Sequence, residues 1–168
     1  KRLNIRIVNV SLGHPVFESY EDDPLAQAVQ KTIDAGLIVV ASAGNYGKVT
    51  IDGEEVPVYG GIASPGNLPD VITVGALNTK GTPNRFDDVV TTYSSRGPTA
   101  IDRVMKPDLV APGNKVWAAL VAGSTVAQTA PAGTIDGRLI AMSGSSVSAG
   151  VVSGVAALML EANPSLRH

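Results

Sequence analysis

The apolar positions fall into short runs broken by turn residues, and their spacing alternates between strand and helix periods. Ile5, Ile7, Val8 and Val10 predict a strand within the first ten residues. Asp23 and Pro24 have the character of an N-cap and a first helical residue, and Leu25, Ala28, Val29 and Ile33 follow at helical spacing. Gly36 supplies the stop, and the apolar run Leu37 to Val40 reads as a buried strand. Strand, helix, strand in this order is a βαβ unit, which requires a parallel sheet.

After Asn45 the chain is rich in Gly and Pro until a further strand at Val71 to Val74, and Gly97 and Pro98 mark another loop. Lys115 to Val121 and Arg138 to Met142 predict two more strands, separated by a small-residue loop from Ala122 to Gly137. The last element, from about Ser146 to Ala162, is apolar on nearly every side, so a central, buried helix is expected. Its Gly150, Ser153, Gly154, Ala156 and Ala157 would let neighbouring elements approach closely. The chain reads as one α/β unit, a three-layer doubly wound and mainly parallel sheet.

Composition narrows the function. Among 168 residues, 44% are hydrophobic but only 4% aromatic, so Val, Ala, Ile and Leu must fill the core. That suits a helix-covered parallel sheet better than a sandwich. A net charge of −2 without a basic cluster speaks against nucleic acid as a partner. With no Cys, disulfides and thiolate chemistry are excluded. No stretch reads as a membrane span, and Lys1 to Arg6 lack the long apolar run of an export signal, which would have to lie upstream.

Two segments carry candidate chemistry. Ser143-Gly144-Ser145-Ser146-Val147-Ser148-Ala149-Gly150 joins a strand to the last helix. A serine there sits where free backbone N–H groups and the positive end of the helix dipole converge, which suits attack that generates an oxyanion. The same turn could equally be an N-cap or an anion-binding loop. Ala41-Ser42-Ala43-Gly44-Asn45-Tyr46-Gly47 ends an apolar strand, and in open parallel sheets function gathers at carboxyl ends. Asn45 could donate its side-chain amide to a developing oxyanion, or could merely shape a turn.

Taken with four more segments, these resemble the subtilisin-like serine protease family. The others are Ser11-Leu12-Gly13, Pro69-Asp70-Val71-Ile72-Thr73-Val74-Gly75-Ala76, Tyr93-Ser94-Ser95-Arg96-Gly97-Pro98-Thr99 and Lys106-Pro107-Asp108-Leu109-Val110-Ala111-Pro112-Gly113. All six stand in the family's order. The resemblance implies a catalytic role for Ser146 as nucleophile, with its own N–H as half of an oxyanion hole, and for Asn45 as the other donor. It implies that Ser11, Leu12 and Gly13 pair with extended substrate, and that Ser42, Ala43 and Gly44 wall the pocket for the residue before the scissile bond. The small, uncharged lining suits large apolar residues.

The match departs in two places. The family's nucleophile motif usually reads Gly-Thr-Ser-Met-Ala-x-Pro-His, whereas this chain has Gly144 to Val151, with Ser145 for Thr, Val147 for Met, and Gly150 and Val151 for Pro and His. The catalytic Asp and His precede the nucleophile in this family, and both of their motifs would lie before Lys1. Residues 1–168 are therefore expected to be the C-terminal portion of one peptidase domain, incomplete on its N-terminal side. Of the two histidines, His14 lacks the surroundings of a catalytic base, and His168 follows Asn163-Pro164-Ser165-Leu166 at the end of the chain.

Without a base Ser146 is an ordinary alcohol, so these residues alone are expected to be inactive and, joined to the N-terminal segment, to form a serine endopeptidase acting on proteins or peptides. Two rivals are a non-catalytic relative that binds peptides and a phosphate-binding module. The latter calls for a Lys near the turn, and residues 143–154 have none. The chemistry needs no cofactor. Family members often bind calcium, and the turn Gly66-Asn67-Leu68-Pro69-Asp70-Val71 resembles a loop offering carbonyls to a cation, though no acidic cluster accompanies it. An uncovered strand edge and helix face would make the piece self-associate. The family resemblance places the protein outside the cytoplasm.

Overall fold

The computed structural model describes residues 3–129, 134–135 and 137–167; His168 and part of the loop from Ala122 to Gly137 lie outside them. The elements are β1 (Ile7–Val10), α1 (Pro24–Asp34), β2 (Ile38–Ser42), β3 (Lys48–Ile51), β4 (Glu54–Pro57), β5 (Ile72–Asn78), β6 (Val89–Val90), β7 (Leu109–Pro112), β8 (Val116–Ala119), α2 (Thr125–Thr129), β9 (Thr134–Ile135), β10 (Leu139–Met142) and α3 (Ser145–Ala162).

The first βαβ unit forms as its sequence requires. Asp23 caps α1, its Oδ1 accepting the N–H groups of Leu25 at 2.8 Å and Ala26 at 3.3 Å, while Pro24 fills a position whose N–H needs no partner. Gly36, at φ +87°, turns the chain out of the helix in a conformation that favours glycine. The chain then enters β2, parallel to β1 with Ile7 opposite Ile38.

β2 pairs in parallel with β5, and β5 with β7, so four strands point the same way; β6 adds a short antiparallel edge. Alternate residues of β2 face opposite layers. Val39 and Ala41 pack with Ala26 and Val29 of α1, while Ile38 and Val40 pack with Val74, Ala111 and Ala149 on the α3 side. A helix on each side of a mainly parallel sheet is the three-layer α/β arrangement expected.

Two expectations need correction. The loop from Ala122 to Gly137 contains α2 and β9, and β9 joins β8 and β10 in a small antiparallel sheet. More consequentially, α3 is not a buried central helix: only Ser145, Ser148 and Ala149 are buried, and Val155, Leu158 and Met159 are 49%, 66% and 54% exposed. The sheet covers one face of α3, and nothing among the described residues covers the other. By length and composition alone α3, 18 residues of mean hydropathy 1.4, could also cross a membrane. It is bound to the sheet instead, Ser148 Oγ donating to the Ala111 carbonyl at 3.0 Å and Ser153 Oγ to Asn9 Oδ1 at 2.9 Å.

Candidate active site

Because β1, β2, β5 and β7 run parallel, their carboxyl ends share one edge, and α3 starts at that edge. The Gly144 N–H donates to the Gly113 carbonyl just beyond β7 at 2.8 Å, which sets the turn carrying Ser146 over the strand ends. Gly113 makes this approach possible. A Cβ there would overlap Ser148 Oγ and sit 2.9 Å from the Gly144 oxygen.

The N-cap of α3 is Gly144, with no side-chain cap bond. Ser146 is therefore not consumed as a capping serine, and its N–H belongs to the first turn, where no intrahelical carbonyl is available. Ser146 Oγ donates to the Ser11 carbonyl at 3.4 Å, and Ser11 Oγ donates back to the Ser146 carbonyl at 2.9 Å. Asn45 follows β2 on the same edge. Its Oδ1 accepts from Ser145 N at 3.0 Å and Ser145 Oγ at 3.1 Å, which leaves the Nδ2 donors free to turn away from Ser145. Ser145, buried, also accepts the Gly44 N–H at 3.1 Å.

A cleft of about 300 Å³ opens here, lined by Ser11, Leu12, Gly13, Ser42, Gly44, Asn45 and Ser146 together with Tyr46, Ala63 and Ser145. Seven of the eight residues singled out in the sequence thus meet in one place. The eighth, Ala43, does not line it. Strand alternation turns its side chain into the core, where it is fully buried, with its N–H on the Val74 carbonyl and its own carbonyl accepting from Ala63. Tyr46 and Ser145 lie within the two quoted segments, next to Asn45 and Ser146, and could have been found from them. Ala63 carries no such signal, since it reaches the cleft only through the fold of the segment after β4.

Among the described residues, none that lines the cleft is charged. Its outer rim is held by His14, whose N–H and carbonyl bridge Ser64 at 3.2 and 2.9 Å. The His14 ring faces away from the nucleophile: Nδ1 donates to the Pro15 carbonyl at 2.8 Å, Nε2 lies 3.5 Å from Asp23 Oδ2, and the ring stacks on Phe17. It serves the rim and the cap of α1. Burial works to raise the pKa of Asp23, but the Ser64 hydroxyl, the amides of Leu25 and Ala26 and the nearby imidazole outweigh it. The carboxyl is held below its ordinary value.

Compared with known proteins, residues 2–168 match the subtilase family, peptidase S8. The chain belongs to that family. It is 36% identical over 164 residues to serine protease AprX of Bacillus subtilis (strain 168), covering 96% of this chain and 35% of AprX. It is 32% identical over 161 residues to the human membrane-bound transcription factor site-1 protease, covering 93% of this chain and 12% of that protein. Among solved structures, Sphericase superposes with a TM-score of 0.68 at 28% identity, over 97% of this chain and 45% of the other. The S41 psychrophilic protease gives 0.67 at 28%, over 99% and 46%. This subtilase chain therefore spans about a third of AprX and less than half of either solved structure. The fold is the subtilisin α/β fold, incomplete over these residues.

Proposed function

We propose that these residues form the nucleophile-bearing, C-terminal portion of a subtilisin-like peptidase domain, which hydrolyses peptide bonds through an acyl-enzyme on Ser146. The observation that carries this reading is the meeting of Ser146, Asn45 and the extended segment Ser11-Leu12-Gly13 around one cleft at the carboxyl edge of the sheet. In this reading Ser146 Oγ attacks the substrate carbonyl carbon, the C=O π pair moves to oxygen, and the serine proton passes to a base. The developing oxyanion accepts from the Ser146 N–H and Asn45 Nδ2. Ser11 to Gly13 pair with the substrate backbone as an added strand, and Ser42 and Gly44 with Ala63 bound a pocket for an uncharged side chain.

In this reading the base and the carboxylate that orients it belong to the N-terminal segment that the family resemblance implies; among the described residues, the ring nitrogens of His14 are engaged elsewhere and Ser146 Oγ meets a carbonyl. These residues alone are accordingly inactive. The substrates are proteins or peptides, and the family resemblance supports action outside the cytoplasm.

A fluorophosphonate probe, which reacts only with an activated serine, tests the reading. The full-length protein is expected to be labelled and Ser146→Ala not, and residues 1–168 expressed alone not. Labelling that survives Ser146→Ala would overturn the assignment of the nucleophile.

A further inference from the structure

The turn Gly66 to Val71 invites comparison with a calcium loop, and the structure allows the fit to be tested. Two of its carbonyls converge on one buried point, and that point is filled. Lys106, its side chain 2% exposed, reaches in from the segment before β7. Its Nζ donates to the Pro69 carbonyl at 3.0 Å and the Val71 carbonyl at 2.7 Å, and lies 3.0 and 2.8 Å from the two carboxylate oxygens of Asp108.

We infer that the Lys106 ammonium is the resident cation of this turn and that calcium does not bind there. Charge supports this first. One ammonium faces one carboxylate and two carbonyl dipoles, which neutralises the site, whereas a calcium ion would bring two further positive charges against a buried lysine. Coordination supports it as well. Calcium takes about six to eight oxygens at about 2.3–2.6 Å, whereas four oxygens meet at this point, two carbonyls and the pair on Asp108, and Nζ engages all four. Asn67, fully buried in the same turn, has neither amide oxygen nor amide nitrogen bonded among the described residues. A donor and an acceptor orphaned together suit a water molecule rather than a metal ion.

The consequence is mechanical. Asp108 Oδ2 also accepts the Thr73 N–H at 2.7 Å, the Thr73 carbonyl accepts Asp108 N–H at 3.0 Å, and Thr73 Oγ1 donates to the Gly66 carbonyl at 2.7 Å. Lys106 therefore ties the turn to the starts of β5 and β7. That turn directly follows Ala63, which lines the cleft, and Ser64, which bridges His14. A covalently attached cation keeps this wall in place at any calcium concentration.

The test uses the full-length protein. Crystals grown in calcium are expected to show Lys106 Nζ on the Pro69 and Val71 carbonyls. An ion within calcium distance of those oxygens, with Lys106 displaced, overturns the inference. In EDTA, Lys106→Ala is expected to lower the thermal midpoint by about 2–5 °C, since it strands two carbonyls and removes the partner of the Asp108 carboxylate, itself 40% exposed. Calcium at about 1–10 mM, above the roughly 0.1–1 mM dissociation constants of weak extracellular sites, is expected to recover part of that loss in the variant, beyond any change it causes in the parent. A variant as stable as the parent in EDTA overturns the inference; if the variant does not fold, the crystal result decides.

Discussion

Ser145 grips the side-chain oxygen of Asn45 from two directions, through its backbone N–H at 3.0 Å and its hydroxyl at 3.1 Å. An amide whose oxygen is held twice cannot flip, so its N–H groups face one way before any substrate arrives. Pre-aimed donors are what oxyanion stabilisation requires, because no reorganisation is then needed as charge develops. If the full-length protein acts as proposed, Asn45→Ala is expected to cut kcat by about 10²–10³ with little change in KM. Ser145→Ala keeps the backbone bond and loses the hydroxyl, so a smaller fall in kcat is expected, with Ser145→Thr restoring it. Steady-state kinetics on a peptide substrate separate the three variants, and equal kcat for Asn45→Ala and the parent would remove Asn45 from the mechanism.

Gly113 is expected to be intolerant of even one methyl group. Its place for a Cβ is occupied by Ser148 Oγ, with Gly144 O and the Ala76 side chain close behind. Gly113→Ala must push α3 away from β7 or twist the turn that presents Ser146. Overpacking of this kind costs about 1–3 kcal/mol. A lower thermal midpoint together with a loss of fluorophosphonate labelling is the expected outcome, whereas an unchanged midpoint would mean that the turn is softer than its packing implies.

The carboxyl of Asp23 links helix capping to pH. Its pKa is depressed in the folded chain, so its contribution to stability is complete above the ordinary carboxylate value of about 3.9. That contribution is lost as pH falls through the lower folded-state value. Asn at this position still accepts the capping N–H bonds but cannot ionise. Asp23→Asn is expected to be less stable than the parent at neutral pH and to show a shallower decline on acidification. Denaturant midpoints measured from neutral pH down to about pH 2 check this, and parallel curves for the two proteins would assign the acid sensitivity to other groups.

How far these features could be read from the sequence depended on whether the signal was local. The cap at Asp23, the stop at Gly36 and the apolar run into β2 are each decided by neighbours in the chain, and they form where expected. The cleft was legible because Ser11, Asn45 and Ser146 each sit at the end of a strand or the start of a helix in a recognisable motif. The hairpin of β3 and β4 was missed because its residues are largely exposed and lack a buried face to impose alternation. Its one clear signal is Asp52-Gly53, both at positive φ, the two-residue turn that suits a tight hairpin. The burial of α3 was misjudged for a different reason. Composition reports that a helix needs cover on every side, but not which residues provide it.

That uncovered side sets the behaviour of residues 1–168 on their own. Val155, Leu158 and Met159 stand on successive turns of α3 and remain largely exposed, although the helix is apolar all round. Beside them an apolar cavity of about 230 Å³, lined by Ile38, Ile72, Ala156, Met159, Leu160, Leu166 and Arg167, opens at the amino ends of the strands. Contiguous apolar surface of this kind is rarely left bare on a stable monomer. In the proposed complete domain the N-terminal segment covers it; without that segment, a second copy of the chain is the nearest apolar partner. Residues 1–168 expressed alone are expected to give dimers or larger species by light scattering. Val155→Glu combined with Leu158→Glu, both outside the cavity and the cleft, should shift them toward monomer. A dispersed monomer from the unaltered chain at high micromolar concentration would show that this face needs no cover.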